Sequence, residues 1–492
     1  MPMLTFMALP PSIVGSRIIT AACVESEEAM AVIRPARRLA AAVLLTLAPW
    51  SAADPAGLPY RLPGGAADGA DPFIAAGFRA LFTCSAHFAM GRPLDDIVAV
   101  ELADTAPLGL PRPEIDAQHR LVRAADGEGH VRLAAFRDTM GCTVLPAHWT
   151  EADIARLPYV SRPLPGPRPD ADFPLGDRAD PRPDPALAAV VARAFDGASY
   201  GGGSLTAAVL VVEDGELVAE AYRDGFGPYT GYRTWSTAKS ITATLVGIAV
   251  RQGLLDLAAG APVPEWRQPA DPRAAITLND LLWMSSGLWS EGSNTNAMYF
   301  GGQDVISSAT TTHLEAEPGT RWKYANNDTL LLLRSLRAVL DDDARYLRFP
   351  YDELFRPLGM HHTWMETDHL GNFIGSSQVY TTARDLARFG LLYANDGVWQ
   401  GQRLLPEGWT DFVATPAPSR PPEPGELGYG AQFWLLDQLD GIPPGTYTSM
   451  GNKGQFVTVV PGRNLVIVRT GVDPQGSRFD IGAFVRDVVA AD

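Results

Sequence analysis

Basic charge, cysteine and long apolar runs are all scarce in this chain of 492 residues. Its 40 basic and 56 acidic residues leave a net charge of −16, which argues against a surface for the phosphate backbone of nucleic acids. Three cysteines are too few for a scaffold of several disulfides or for a cysteine-rich zinc site. Beyond residue 50 no apolar segment is long enough to span a bilayer. The proportions of hydrophobic (46%) and charged (20%) residues are those of a globular protein and exclude wholesale disorder.

Lysine is as scarce as cysteine. The chain contains only Lys239, Lys323 and Lys453, and every other basic residue is an arginine. Arginine stays protonated in proteins, whereas a buried lysine can lose its proton. We therefore expect a lysine that persists in such a chain to serve chemistry that arginine cannot perform.

The first 53 residues have the order of a secretory signal. Three arginines precede an apolar run at 39–50, and the small residues Ser51-Ala52-Ala53 follow it. This pattern predicts a leader over residues 1–53 and export to the periplasm or beyond the cell. The alternative is an N-terminal core helix.

The remaining cysteines form an even pair once that leader is removed. Export would place Cys84 and Cys142 in an oxidising compartment, where a disulfide could join them. Such a bond would close a long loop and is expected to stabilise the fold by roughly 4 kcal/mol. Two buried thiols are the alternative.

The length of the chain predicts more than one domain. We expect a small N-terminal module over residues 54–157 and a proline-rich segment over 158–183. That segment is either a stiff linker or a strap on the surface. The main domain is predicted to span residues 184–492.

Predicted strands lie at both ends of the main domain, while its middle is mainly helical. Residues 206–222 and 456–468 each contain two β-prone runs around a turn, and residues 479–489 have helical spacing. One antiparallel sheet built from both chain ends, flanked by helices and interrupted by a helical subdomain, would pair all these strands. The sequence therefore predicts an α/β (α+β) fold.

Two serine motifs are candidates for a nucleophile. Gly197-Ala198-Ser199-Tyr200-Gly201 fits G-x-S-x-G, but that motif requires a strand before the serine and a helix after it. Here the predicted order is reversed, so we interpret Ser199 as a loop residue.

The second motif is S-x-x-K at Ser236-Thr237-Ala238-Lys239, where an amphipathic helix is predicted to begin. A serine at the first turn meets the positive end of the helix dipole. Lys239, one turn later, lies on the same face, and burial would lower its pKa enough for it to act as a base.

With further motifs in the same order, the chain resembles the serine β-lactamase and penicillin-recognising D,D-peptidase superfamily. The resemblance is strongest to its class C-like branch, which includes related esterases and 6-aminohexanoate-dimer hydrolases. It covers roughly residues 184–492 and rests on S-x-x-K, on Tyr324-Ala325-Asn326 after Pro318-Gly319-Thr320, and on the segments 281–288, 357–360 and 382–390.

The resemblance implies roles for four of these residues. Ser236 would be the acylated nucleophile and Lys239 its general base. Tyr324 would share the proton, and Asn326 would bind substrate by a hydrogen bond. Tyr324 could instead be an aromatic residue packed in the core.

The third family motif, K-T-G or H-T-G, is only loosely matched. Its place is best filled by Ser449-Met450-Gly451, and the amide near Asn452 would complete an oxyanion hole with that of Ser236. Lys453 is close but not in the K-T-G position, so a cation for a β-lactam carboxylate is in doubt. This departure favours an esterase or amidase over a dedicated β-lactamase.

The sequence thus predicts an exported serine hydrolase that acts on a small ester or amide and needs no cofactor, metal ion or nucleic acid. Polar residues at 361–369 match no metal-binding signature. The alternatives are a non-hydrolytic module that binds cell-wall peptides, a D-amino-acid peptidase and a β-lactamase.

Overall fold

The computed structural model describes residues 71–161, 169–290 and 298–491. The predicted leader and Cys23 lie outside the described residues. All the described residues belong to one compact unit. None of their helices is both long enough and apolar enough to cross a bilayer.

Several α-helices begin after a residue whose side chain caps the first turn. Asp71 and Asp184 accept hydrogen bonds from the first turns of their helices, and a proline follows each of them. The α-helices are α1 (Pro72–Cys84), α2 (Leu94–Asp96), α3 (Pro185–Arg193), α4 (Thr237–Arg251), α5 (Leu278–Leu282), α6 (Val305–Thr310), α7 (Asn326–Leu340), α8 (Asp343–Pro350), α9 (Ala383–Ala394), α10 (Trp409–Ala414) and α11 (Ile481–Ala491). Shorter 3₁₀ or π segments are Ser85–Ala89, Ile97–Glu101, Ala103–Leu108, Glu151–Arg156, Pro264–Trp266, Pro272–Ala275, Tyr351–Phe355 and Pro461–Arg463.

The strands are β1 (Glu114–Asp116), β2 (Leu121–Ala125), β3 (Val131–Arg137), β4 (Gly141–Val144), β5 (Thr206–Glu213), β6 (Glu216–Tyr222), β7 (Gly231–Arg233), β8 (Trp364–Met365), β9 (Val379–Thr382), β10 (Val398–Trp399), β11 (Gln402–Arg403), β12 (Gly428–Tyr429), β13 (Trp434–Leu435), β14 (Tyr447–Gly451), β15 (Gln455–Val460) and β16 (Leu465–Gly471).

The main sheet confirms the predicted α/β architecture. Its strand order is β12-β13-β14-β15-β16-β5-β6, and neighbouring strands are antiparallel. The two predicted hairpins are β5–β6 and β15–β16, and β16 pairs with β5, so strands from both ends of the main domain lie side by side in one sheet.

Alternate residues of β5 enter two hydrophobic clusters, as expected for a sheet covered on both faces. Leu210 packs in the cluster that contains α4 and α9, whereas Val211 packs in the cluster that contains α3 and α11. The face covered by α4 is the one next to the candidate base, because α4 carries Lys239.

The N-terminal module has its own antiparallel sheet, β1-β2-β3-β4, against which α1 packs. It shares a hydrophobic cluster with the main domain. Phe82 of α1 lies 5.5 Å from Trp235 between ring centroids, and Phe78 lies 5.1 Å from Phe300. The module therefore contacts the segment that leads into Ser236.

Cys84 and Cys142, the pair expected from the sequence, form a disulfide between α1 and β4. The fully buried Glu366 lies beside it and accepts hydrogen bonds from the Ser85 hydroxyl (2.7 Å) and the Cys142 amide (2.9 Å). Burial raises the pKa of Glu366 to about 7. This carboxyl group joins the disulfide to the main domain.

The described part of the proline-rich segment follows the surface of α9. Arg388 donates hydrogen bonds to the carbonyl oxygens of Pro174 (2.8 Å) and Gly176 (2.7 Å), and its guanidinium lies 4.8 Å from the Phe173 ring. Arg384 donates to the carbonyl oxygen of Asp177 at 2.8 Å. Of the two alternatives left by the sequence, these contacts favour the strap.

Candidate active site

Ser236 lies at the entrance of α4, whose first helical residue is Thr237. The residue is half-buried, while almost all of α4 behind it is buried. Trp235, directly before it, has a positive φ of 50°. An L residue adopts that conformation only at a cost in energy. The backbone is therefore held in an unusual turn that presents the serine at the helix N-terminus.

Lys239 makes three polar contacts from a fully buried position. Its Nζ lies 2.5 Å from Asn326 Oδ1, 2.8 Å from the carbonyl oxygen of Ser376 and 3.2 Å from Ser236 Oγ. The first two oxygens can only accept, so they take two N–H groups of the amine. A neutral amine then has its lone pair left for the hydroxyl hydrogen of Ser236, which is the arrangement that a general base requires.

The electrostatic environment favours this neutral form. Burial lowers the pKa of Lys239 from its ordinary value near 10.5 to about 7, because the surrounding protein solvates the ammonium less well than water does. A substantial fraction of the protein therefore carries the unprotonated amine at neutral pH.

This pKa predicts the acidic side of the pH profile. Lys239 is protonated below its pKa, and only the unprotonated amine can accept the serine proton. Turnover should therefore rise as the pH passes upward through about 7. The measurement is kcat/KM for a p-nitrophenyl ester between pH 5 and 9; a rate that is flat across that interval would contradict the assignment of Lys239 as the base.

Tyr324 lies beside this pair, in an aromatic cluster. The Nζ of Lys239 is 5.0 Å from the Tyr324 ring centroid. The ring is stacked on Trp434 at 5.7 Å, and Tyr429 packs edge-on at 5.9 Å. Tyr324 is thus both a core aromatic and a neighbour of the proposed base, so the two alternatives left by the sequence are not exclusive.

Asn326, the first residue of α7, makes a contact that the sequence did not predict. Its side-chain oxygen is bound to Lys239 and helps to orient the amine. The hydrogen bond from Asn326 to substrate stays a prediction.

The third motif lies at the end of β14, where Gly451 is in close contact with the loop before Ser236, a contact that the sequence did not predict. A Cβ on Gly451 would lie 2.1 Å from the carbonyl oxygen of Thr234. Gly451 therefore permits the close approach of β14 to the loop that carries Ser236. Asn452 follows, half-buried, and its part in an oxyanion hole stays a prediction. Ser449 is fully buried, and its hydroxyl has no hydrogen-bond partner among the described residues.

Lys453 does not replace the lysine of a K-T-G motif. Its Nζ forms an ion pair with Asp104 of the N-terminal module at 2.7 Å, and its side chain is 6% exposed. Lys323 instead lies at the surface, 3.5 Å from Glu315. Lys239 is thus the lysine that lies against Ser236.

Ser199 lies in a turn, as expected. The residue is exposed, and its hydroxyl donates to Asp196 at 2.5 Å. Among the described residues, its hydroxyl makes no hydrogen bond to a base or to the Ser236 region.

A group of potential metal ligands occurs at the tip of the β2–β3 hairpin, where Asp126, Glu128 and His130 have ligand atoms within 4.8 Å of one another. Asp126 already accepts hydrogen bonds from the backbone amides of Glu128 and His130, and it contacts the His130 ring, so the turn itself accounts for the cluster.

Sequence patterns missed four residues in the surroundings of Lys239. Ser376 acts through its backbone carbonyl, which no side-chain motif reveals. The hydroxyl groups of Tyr299 and Ser376 are hydrogen-bonded to each other, and Arg233 donates to Ser377. The sequence contains three pairs of adjacent serines (285–286, 307–308 and 376–377), and nothing in it distinguishes Ser376-Ser377 from the others.

Three comparisons with known proteins agree on the fold. The family model described as Beta-lactamase matches residues 191–489. The chain is 27% identical over 292 residues to a 6-aminohexanoate-dimer hydrolase of Paenarthrobacter ureafaciens, covering 54% of this chain and 72% of that protein.

Two solved structures are similar as well. One, provisionally described as a 6-aminohexanoate-dimer hydrolase from Bacillus anthracis, has a TM-score of 0.51 at 20% identity, covering 68% of this chain and 87% of that one. The other, provisionally described as a beta-lactamase from Bacteroides dorei, has a TM-score of 0.49 at 20% identity, covering 62% and 97%.

Proposed function

Since the chain belongs to the beta-lactamase family and is a serine hydrolase, we propose that it is exported and cleaves a small ester or amide through an acyl-enzyme on Ser236. The observation that carries this proposal is the arrangement around Lys239. Two acceptors hold its N–H groups, and its third contact is the Ser236 hydroxyl.

The proposed reaction has two steps. Lys239 Nζ accepts the hydroxyl proton as Ser236 Oγ forms a bond to the substrate carbonyl carbon. The bond from that carbon to the alcohol or amine breaks, and the leaving group takes the proton back. Water then attacks the acyl-enzyme with the same base, which releases the acid and restores the serine. Tyr324 would share the proton, because its ring lies beside the amine.

Two observations support a linear substrate rather than a β-lactam. Lys453, the lysine nearest to the third motif, is held by Asp104 rather than left for a substrate carboxylate. The curated relative is named for an amide dimer. We therefore propose linear esters and amides rather than β-lactams as the substrate class.

Export is supported by the disulfide between Cys84 and Cys142, since structural disulfides persist mainly in oxidising compartments. With the predicted leader over residues 1–53, this favours the periplasm or the extracellular space.

A substrate panel tests the proposal. It compares p-nitrophenyl acyl esters, linear amide oligomers, nitrocefin and D-Ala-D-Ala peptides, with mass spectrometry of the protein during turnover. We expect a transient acyl adduct on the peptide that contains Ser236, and a kcat/KM for esters or linear amides at least about 100-fold above that for nitrocefin.

Other outcomes would replace this proposal. A permanent adduct without product would indicate a non-hydrolytic binding module. Preferred cleavage of D-Ala-D-Ala peptides or nitrocefin would indicate a peptidase or a β-lactamase.

A further inference from the structure

The turn Ser376-Ser377 determines the direction of the Lys239 amine. The carbonyl oxygen of Ser376 accepts one N–H group of Lys239 at 2.8 Å. One helical turn along α4, Thr242 donates to the carbonyl oxygen of Gly375 at 3.0 Å. Because that N–H group is fixed, a displacement of this turn would rotate the lone pair of the amine away from Ser236.

Two buried side chains, those of Tyr299 and Arg233, also form hydrogen bonds with this turn. The hydroxyl of Tyr299 is hydrogen-bonded to that of Ser376. Arg233 donates from Nη2 to the Ser377 hydroxyl at 2.9 Å and from Nε to the Ser377 carbonyl oxygen at 3.4 Å. Arg233 ends β7, three residues before Ser236, so it joins the nucleophile segment to the turn that orients the base.

The N-terminal module in turn holds Arg233. The guanidinium carbon lies 4.3 Å from the ring centroid of Phe82 and 4.4 Å from that of Trp235, and the residue is 2% exposed. Aromatic faces stabilise a cation that has lost its water. Phe82 is two residues from Cys84 in α1, where the disulfide fixes the helix to β4.

We propose that Arg233 is a positioning residue for the general base: held by Phe82 of the N-terminal module, it fixes the Ser376-Ser377 turn and so aims the Lys239 amine at Ser236. The module is thereby part of the active site rather than an appended domain. This inference rests on the proposed function of Ser236 and Lys239.

The test is Arg233→Met, which keeps an apolar stem against the rings but removes both hydrogen bonds. Arg132→Met is the matched control. Arg132 is also a buried arginine (1% exposed), lies 4.1 Å from the Phe73 ring of α1, and donates to the carbonyl oxygen of Leu145. Among the described residues, Arg132 makes no hydrogen bond to the Ser376-Ser377 turn, so it reports on the stability of the module and of its packing near Gly302.

For p-nitrophenyl butyrate, we expect Arg233→Met to lower kcat about 10-fold or more with KM within about 2-fold. The acidic limb of its pH profile should move to higher pH. Burial keeps the pKa of Lys239 low, and a more mobile Ser376-Ser377 turn would admit water, which stabilises the ammonium and raises that pKa. Arg132→Met should change stability, measured by urea unfolding, but neither kcat per folded molecule nor the pH limb.

Wild-type kinetics in Arg233→Met, or the same kinetic loss in Arg132→Met, would overturn the inference. If Arg233→Met does not fold, Ser377→Ala is the deciding variant, since it removes only the hydroxyl acceptor. It should show a smaller loss of kcat with the same shift of the acidic limb to higher pH, and an unchanged pH profile would overturn the inference.

Ser236→Ala distinguishes a failure of the proposed function from a failure of the role proposed for Arg233. An active Ser236→Ala would refute the proposed function, whereas an inactive one beside a fully active Arg233→Met refutes only the role of Arg233.

Discussion

Replacing Ser236 with alanine should lower kcat for p-nitrophenyl butyrate by about 10⁴- to 10⁶-fold, the range seen when the nucleophile of a serine hydrolase is removed. Without the hydroxyl no acyl-enzyme can form. The fold should persist, because Ser236 is half-buried and its side chain makes no capping hydrogen bond to α4. The measurement is steady-state hydrolysis together with the circular dichroism spectrum and the midpoint of urea unfolding.

Ser199→Ala is the matched control for that experiment. Ser199 belongs to the competing motif, yet it lies in an exposed turn and donates only to the neighbouring Asp196. Its replacement should leave kcat within about 2-fold of the wild type, as for most surface substitutions. An inactive Ser199→Ala beside an active Ser236→Ala would reverse the assignment.

Replacing Lys239 with arginine should lower kcat by about 10²- to 10⁴-fold, the contribution of a well-placed general base. Arginine keeps a positive charge at this position but cannot give up its proton in the pH range of the assay. The acidic limb near pH 7 should disappear as well, because the group that titrates there has been removed. Measuring kcat/KM between pH 5 and 9 for both proteins separates this effect from a simple loss of folded protein.

Lys323→Arg provides the corresponding control. Lys323 is one residue from Tyr324, but its side chain is 37% exposed and lies 3.5 Å from Glu315, a contact that arginine can also make. The same substitution there should leave both the rate and the pH profile unchanged. If Lys239→Arg retained the rise through pH 7, another buried acid whose pKa is about 7, such as Asp328, would have to be considered.

The parts of the site that the sequence predicted are those that depend on local spacing. Ser236 and Lys239 are one helical turn apart, so their contact follows as soon as α4 is recognised. The two hairpins were found from β-prone runs around a turn, and their antiparallel pairing follows from their edges. The proximity of Tyr324 to Lys239 came from the family resemblance, because 85 positions separate them and no local pattern joins them.

The parts that the sequence could not predict depend on backbone atoms and on contacts across the fold. Ser376 contributes a carbonyl oxygen, a group that every residue carries. Gly451 was identified as part of the third motif, but its close approach to the carbonyl oxygen of Thr234 was not predicted. Asn326 was assigned to the substrate, and its additional hydrogen bond to the Lys239 amine was not predicted. Gly451 and Asn326 were identified from the sequence and Ser376 was not, but in each case the contact is decided by packing between elements that are distant in the chain.

The ion pair between Lys453 and Asp104 determines how short a folded form of this enzyme can be. A truncation that began at residue 184, near the start of the region matched by the family model, would remove Asp104 and leave a nearly buried ammonium without its counter-ion. It would also uncover the faces of Trp235 and Phe300 on which α1 packs. Recombinant versions are therefore expected to need a start upstream of α1, so that the folded unit extends beyond residues 191–489, which the family model matches.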